Sequence, residues 1–537
     1  MTGLIETAVT LGCQHQGLAW VTVAAGTLAC IPAGLRWLRV AQREHYLAGS
    51  SSRFALRWWT VSPLNAVGAG VAVLAALATL LWPVAGVVSA GVVACGPLGL
   101  TLRGRTSPLA WTRRLRTLAA TWVLLEVLVV VVGIVVGPAA ILAVVAALTV
   151  PLLVDLACAA TAPVERRLAQ RFVDDASTRL ARVAPTVVGV TGSYGKTSTK
   201  NHVAHLVRGS RSVVATPASF NNRAGLARAI NEHLADGTEV FVAEMGTYGP
   251  GEIADLCRWC PPEVAVITAI GPVHLERFGT EDRIVEAKAE ITTSARDVIL
   301  QVDDPRLAAL ADRLEAAGKH VVRCSATDAS ADVAVIRSAE VGVSGEMHTV
   351  VMGGAVLATD VVLPTGTQPS NVACALAVAV AVGVAADTAV ARLGDLPSVD
   401  HRLQAIPSAG GFAVLDDTYN ANPAGARAAL DALRSVGAGG RRVVVTPGMV
   451  ELGPKQRQEN RRFGTEIAAV ADDLVVVGRT NRRELLAGAT TVGSDGRPDP
   501  VTVTCVPHRP AAVEWVRTRL GAGDAVLYEN DLPDHYP

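Results

Sequence analysis

The distribution of apolar and polar positions divides the chain into two regions. Before residue 160, long Leu/Val/Ala stretches run almost without charge; beyond it, short apolar runs alternate with polar, helix-forming stretches. Five windows in the first region approach or exceed the ~20 apolar residues that cross a bilayer as helix. They run from about Leu18 to Leu38, Pro63 to Leu81, Val84 to Leu102, Leu118 to Val136 and Ala139 to Cys158. Buried helices of soluble domains seldom lack a polar face over such lengths. Residues 1–160 therefore read as a transmembrane helical region of about five spans. The second and third windows, short and tightly joined at Trp82-Pro83, also fit one re-entrant hairpin. No small-residue cleavage site follows the first window, so it does not read as a removable signal peptide.

Arginines orient the spans. Arg36, Arg39, Arg43, Arg53 and Arg57 lie between the first and second windows, and Arg103, Arg105, Arg113, Arg114 and Arg116 between the third and fourth. Arg166, Arg167 and Arg171 follow the fifth, while the remaining connections carry no basic residue. Five spans with the N-terminus outside place every basic stretch in the cytoplasm. The expected location is the cell membrane, multi-pass, with the later domains facing the cytoplasm.

The second region alternates strand-like and helix-like segments, the pattern of α/β domains. We expect a doubly wound, mostly parallel central sheet over residues 175–397 and a smaller Rossmann-like α/β domain over residues 398–537. Thr186-Val-Val-Gly-Val-Thr is a buried-strand run, followed by Gly192-Ser193-Tyr-Gly195-Lys196-Thr197-Ser198 and a helical sequence. A strand, a glycine turn and a helix N-terminus present backbone N–H groups to phosphates. Lys196 would reach the terminal phosphates and the Thr197 hydroxyl would sit on Mg²⁺.

Composition narrows the chemistry. Forty-eight basic and 48 acidic side chains leave no net charge, so no nucleic-acid partner is expected. Nine cysteines are scattered. Cys257 and Cys260 form one CxxC with no second ligand pair at zinc spacing, and read as two packed helix cysteines. Only five lysines (196, 200, 288, 319 and 455) stand among the 48 basic residues, and two of them fall in motifs.

Gly189-Val-Thr-Gly-Ser-Tyr-Gly-Lys-Thr resembles the phosphate loop of the Mur ligase family, and further strings follow in family order over about residues 180–530. Phe241-Val-Ala-Glu244-Met-Gly and Val266-Ile-Thr-Ala-Ile-Gly-Pro-Val-His274-Leu-Glu-Arg-Phe-Gly resemble the D-alanyl-D-alanine-adding branch. The resemblance implies that Glu244 and His274 bind two Mg²⁺ ions together with Thr197. It also implies that Lys288, in Ala287-Lys-Ala-Glu, is carbamylated into an anionic metal ligand; a guanidinium cannot replace that amine. Ala269 stands where the branch usually has Asn. Ser219-Phe-Asn221-Asn222 is similar to an Asn-rich loop near the γ-phosphate, and Asn371 to an adenine-contacting Asn.

In the last domain, Asp400-His-Arg402-Leu-Gln resembles the junction whose Arg reaches the ATP phosphates, and Val414-Leu-Asp416-Asp417-Thr-Tyr-Asn420-Ala-Asn-Pro matches the same branch. The implied site holds Lys196, Lys288, His274 and Arg402 as catalytic residues. Gly192, Ser193, Gly195, Thr197, Ser198, Asn371, Asp416 and Asn420 join Lys196 and Arg402 around the nucleotide. The implied reaction is ATP-dependent amide formation through an acyl phosphate. Its carboxylate would belong to a muramoyl-peptide, lipid-linked or poly-amino-acid acceptor, and its amine to an amino acid or dipeptide. Two departures bear on the acceptor: Glu529-Asn-Asp-Leu-Pro replaces a Lys-Gly-Ser-Arg-like string, and apolar helices stand where the family has a uridine-nucleotide-binding domain. A membrane scaffold that merely keeps an ATP module is the other reading, opposed by the complete Lys196, Glu244, His274 and Lys288 set.

Overall fold

The computed structural model describes residues 2–537 except 103–108, 274, 342–344, 365, 398–402, 409, 420–421, 437–438, 491–499, 533–534 and 537. It forms two compact units, one of residues 1–168 with 532–537 and one of residues 169–531.

The first unit is helical: α1 (Thr2–Arg43), α2 (Ser50–Thr60), α3 (Pro63–Ala78), α4 (Ala85–Cys95), α5 (Arg113–Val136), α6 (Ala139–Leu148) and α7 (Val150–Val183), within which the division between units falls. Local chemistry sets the ends. The Ser62 hydroxyl accepts from Asn65 N–H ahead of Pro63 at the start of α3, and Thr112 caps α5 through Leu115 N–H. At the far end of α5, Gly137 takes the left-handed conformation that closes the helix. The Arg36 guanidinium donates to the carbonyls of Ala94, Cys95 and Leu100, placing a cation at the negative end of α4. The Asp155 carboxylate accepts the N–H groups of Ser51 and Ser52 at the positive end of α2.

Among the described residues, two helical stretches, Gln16–Arg43 and Arg113–Val136, are long and apolar enough to cross a bilayer, and up to four if each bent pair, α2–α3 and α6–α7, counts as one span. The third expected span is corrected: α4 has 11 residues and ends at Gly96-Pro97, where proline supplies no N–H for a further turn. Contacts between α3 and α4 favour the hairpin reading of that segment. Glu126, the single acid of the fourth window, is buried and accepts from the Trp122 indole N–H at 2.9 Å.

Residues near the end of the chain belong to this unit. His535 is buried with its Nε2 3.0 Å from Glu44 Oε1, and its carbonyl accepts from Trp58 Nε1 at 2.7 Å. The Phe54 ring meets both His535 and Tyr536 edge-on, with centroids 4.9 and 5.0 Å away.

The second unit carries two sheets. The nine-stranded sheet runs β2-β3-β1-β4-β5-β6-β7-β8-β9. Its strands are β1 (Thr186–Thr191), β2 (Val213–Ala215), β3 (Val240–Glu244), β4 (Val264–Ile267), β5 (Asp297–Gln301), β6 (His320–Ser325), β7 (Val333–Val341), β8 (Gly345–Met352) and β9 (Ala355–Leu363). The strands from β2 to β7 pair in parallel, and β7–β8–β9 form an antiparallel meander. β1, β3 and β4 are apolar along most of their length because apolar clusters cover both faces of the sheet. The second sheet runs β10-β11-β15-β12-β13-β14 and is parallel apart from its β10 edge. It comprises β10 (Gln404–Pro407), β11 (Ala413–Asp417), β12 (Arg442–Thr446), β13 (Asp473–Val477), β14 (Thr502–Val506) and β15 (Ala525–Glu529). The α/β expectation for this part of the chain holds.

Candidate active site

β1 leads into α8 (Lys196–Val207) through Gly192-Ser-Tyr-Gly195. Gly192 and Gly195 have φ of 151° and 76°, and a Cβ at Gly195 would strike the side chain of Asn371. Only glycine serves there without strain. The loop is pinned from β4: Ser193 N–H donates to Ala269 O at 2.7 Å, and the Thr268 hydroxyl meets the Tyr194 carbonyl. Ala269 thus acts through its backbone, which the branch's usual Asn would supply equally.

Lys196 begins α8 and folds over the loop, donating to Gly192 O at 2.7 Å. One residue on, the Thr197 hydroxyl donates to Glu244 Oε2 at 3.0 Å. Parallel register explains the meeting, because Val190 lies opposite Glu244, level with the end of β1. Asn221 Nδ2 donates to Glu244 Oε1 at 3.1 Å, while its carbonyl accepts from Gly246 N–H. Asn222 plays a structural part, capping the helix Arg223–His233 through Gly225 N–H.

A small pocket is lined by Gly192, Ser193, Lys196, Asn221, Gly246, Thr247, Tyr248 and Lys288. Lys288 reaches it from the helix Glu281–Ala289 and is 4% exposed. Burial, then the nearby charge of Lys196, pushes its amine well below the usual lysine range.

The donors suit a hard cation bound alongside phosphates. Thr197 and Glu244 offer adjacent oxygens beneath the loop, the ligand type Mg²⁺ takes. Among the described residues no three His, Cys, Asp or Glu side chains form a ready metal cage. His274, Arg402 and Asn420 lie outside the described residues. Ser198 follows Thr197 in the first turn of α8, and Asn371 stands against the loop from the helix Pro369–Ala381. Asp416 is the last residue but one of β11 in the other sheet, its carboxylate accepting from Thr418 N–H and hydroxyl.

Sequence reasoning left one residue without a role. Lys200, three residues after Thr197 on the same helical face, places Nζ 3.1 Å from Glu244 Oε2, and both side chains are 1% exposed. Its position one turn beyond Lys196 in a lysine-poor chain was the available signal. Cys257 and Cys260 are both free and buried, but only Cys257 is helical; Cys260 lies beyond the helix Glu252–Cys257.

Known proteins place this geometry. The Mur ligase middle domain matches residues 190–379, and the Mur ligase, glutamate ligase domain matches residues 401–528. The UDP-N-acetylmuramoyl-tripeptide--D-alanyl-D-alanine ligase of Mycobacterium leprae is 33% identical over 369 residues, covering 64% of this chain and 70% of that protein. The chain belongs to the Mur ligase family. Its members are ATP-dependent enzymes that form amide bonds. The Bacillus subtilis enzyme of the same name is 30% identical over 312 residues, covering 55% of this chain and 65% of its own. Among solved structures, the MurF ligase from Thermotoga maritima in complex with ADP aligns at 27% identity with a TM-score of 0.58, over 68% of this chain and 80% of that one. As a Mur ligase, the chain places its phosphate loop, Glu244 and Lys288 in the middle domain, and the sheet β10–β15 in the glutamate ligase domain.

Proposed function

We propose that this Mur ligase is anchored in a membrane and joins a dipeptide or amino-acid amine to a carboxylate on an envelope peptide carried at the cytoplasmic face. The observation that carries the reading is the convergence of Lys196 and Lys288 on one pocket, with Thr197 meeting Glu244 one residue beyond Lys196, in a chain whose relatives add D-alanyl-D-alanine to muramoyl tripeptides. ATP and magnesium are the expected cosubstrate and cofactor.

A carboxylate is a poor electrophile, because an amine cannot displace oxide from it. Transfer of the ATP γ-phosphoryl group to the carboxylate oxygen releases ADP and gives an acyl phosphate. The amine nitrogen then attacks the acyl carbon, its proton is lost, and inorganic phosphate departs with the activated oxygen. Lys196 holds the γ-phosphate and offsets its developing charge. Thr197 and Glu244 would hold Mg²⁺, which neutralises phosphate charge when bound. Asn221 keeps the Glu244 carboxylate oriented. An amine adds CO₂ in its uncharged form, which the burial of Lys288 favours, so a carbamate there would supply a further anionic ligand; His274 and Arg402 keep the metal and phosphate roles that the family resemblance implies.

Membrane anchoring is supported by the first unit. α5 exposes Leu124, Val127, Leu128, Val131, Val132, Val135 and Val136, an apolar surface that soluble proteins rarely present. α1, α5 and the bent α6–α7 pair serve as spans and α3–α4 as a re-entrant hairpin. Three spans are odd in number, as five are, so every arginine cluster keeps the cytoplasmic side. Confinement raises the effective concentration of a lipid-linked acceptor without any new contact. Glu529-Asn-Asp-Leu-Pro replaces the branch's basic string, so the acceptor side differs from that branch, and a poly-amino-acid acceptor is the second reading.

The test is ATP-dependent phosphate release by the full chain in detergent. D-alanyl-D-alanine and single amino acids would be offered against nucleotide-linked, lipid-linked and poly-amino-acid acceptors. Turnover with the lipid-linked acceptor, at least tenfold above the nucleotide-linked one, is expected. Turnover with the nucleotide-linked acceptor alone would overturn the membrane-acceptor reading, and none with any acceptor would overturn the ligase assignment to envelope peptides.

A further inference from the structure

The buried Lys200 meets the same carboxylate oxygen of Glu244 that Thr197 does. Its ammonium is anchored between the Ala218 carbonyl and Glu244 Oε2. Thr197 and Asn221, the other donors to Glu244, are neutral. Among the described residues, Lys200 therefore brings the positive charge to a carboxylate whose other hydrogen bonds come from neutral donors. A divalent ion taking Glu244 Oε2 would share that oxygen with the ammonium and be repelled by it. The repulsion is offset only when the phosphates of a nucleotide add negative charge on the far side of the ion.

We infer that Lys200 is a positioning residue that competes with the divalent cation for Glu244, so that Mg²⁺ enters with the nucleotide and not before it. The inference rests on the reading of Glu244 as a metal ligand. In the nucleotide-free enzyme Lys200 keeps the carboxylate fixed in place. With nucleotide present, Glu244 turns toward the ion while Lys200 stays on the Ala218 carbonyl.

The sign of the effect separates this role from a merely structural one. Loss of a structural lysine would disorder Glu244 and weaken metal binding; loss of a competitor tightens it. Mn²⁺ binding to the full-length, nucleotide-free protein in detergent, followed by electron paramagnetic resonance, reads this directly. Lys200→Met, which keeps the length and removes the charge, is expected to bind Mn²⁺ at least tenfold more tightly than the parent. Lys200→Arg is expected to bind as weakly as the parent, and Lys200→Met with Glu244→Gln to lose the gain. If the methionine variant does not fold, Lys200→Gln keeps a hydrogen bond to Glu244 without charge and is expected to show the same tightening. Unchanged or weaker binding in the folded neutral variants overturns the inference. Glu244→Gln alone, titrated with Mn²⁺ and ADP, isolates the underlying reading: unchanged affinity there would remove Glu244 as a ligand, whereas weakened affinity without tightening in the Lys200 variants sinks only the competition.

Discussion

Lys196 and Lys288 face one pocket, and the charge of the first adds to burial in holding the amine of the second well below the ordinary lysine range. Two lysines so placed divide their work: Lys196 stays a cation for phosphate, and Lys288 is freed to be something else.

Lys288→Arg should therefore lose ligation by on the order of 10²–10³, the scale of removing one preorganised charge-stabilising group. A guanidinium keeps its proton and forms no carbamate, so added bicarbonate should not restore the rate. Wild-type turnover in this variant would return Lys288 to an ordinary structural role.

Stability should report the same amine. Folding lowers the Lys288 amine well below its ordinary value of 10.5, which the unfolded chain keeps. That difference destabilises the fold increasingly as pH falls from the unfolded value toward the depressed one, by up to about 1.4 kcal/mol per pH unit. In CO₂-depleted buffer, Lys288→Met should melt higher than the parent, by more at pH 7 than at pH 10. A pH-independent difference would contradict the lowering of this amine by the fold.

Lys196→Ala should abolish ATP-dependent ligation while leaving the protein folded and membrane-extractable only by detergent. Near-normal phosphate release would take the phosphate loop out of the mechanism.

At the end of β15, Glu529 is fully buried and in register with Asp417 of β11. Burial, then Asp417, raises its carboxyl well above the usual range. Its folded form retains a proton that the unfolded form releases, so the fold loses stability as pH rises from the unfolded value toward the raised one. Glu529→Gln should match the parent near pH 4.5 and melt higher at pH 7–8. Equal melting temperatures at both pH values would show that Glu529 titrates as an exposed acid does.

The topology has its own test. A reporter active only in an oxidising exterior should work when fused before α1 and stay silent when fused within the catalytic unit. The reverse pattern would overturn the arginine-based orientation.

What the sequence made legible follows from how local each signal is. The strand, glycine turn and helix around Lys196 are consecutive residues, so their geometry could be read directly. Glu244 could be expected at a strand end, but its meeting with Thr197 depends on β1–β3 register across 47 residues. Lys200 carries no motif of its own, and its significance appears only once α8 lies over β3. In the helical unit, hydropathy found every apolar window but measured composition, not helix length. It therefore counted Val84–Leu102 as a span where Gly96-Pro97 ends the helix after 11 residues.

His535 and Tyr536 give the chain a topology beyond its list of domains. The catalytic unit leaves the helical unit along α7 and is followed by residues seated on Phe54 and Trp58 of the same helices. Its polypeptide is thus a loop fastened at both feet. A protease that nicks such a loop once produces two fragments, each still moored, where an enzyme hung from a single stem would shed half of itself into solution.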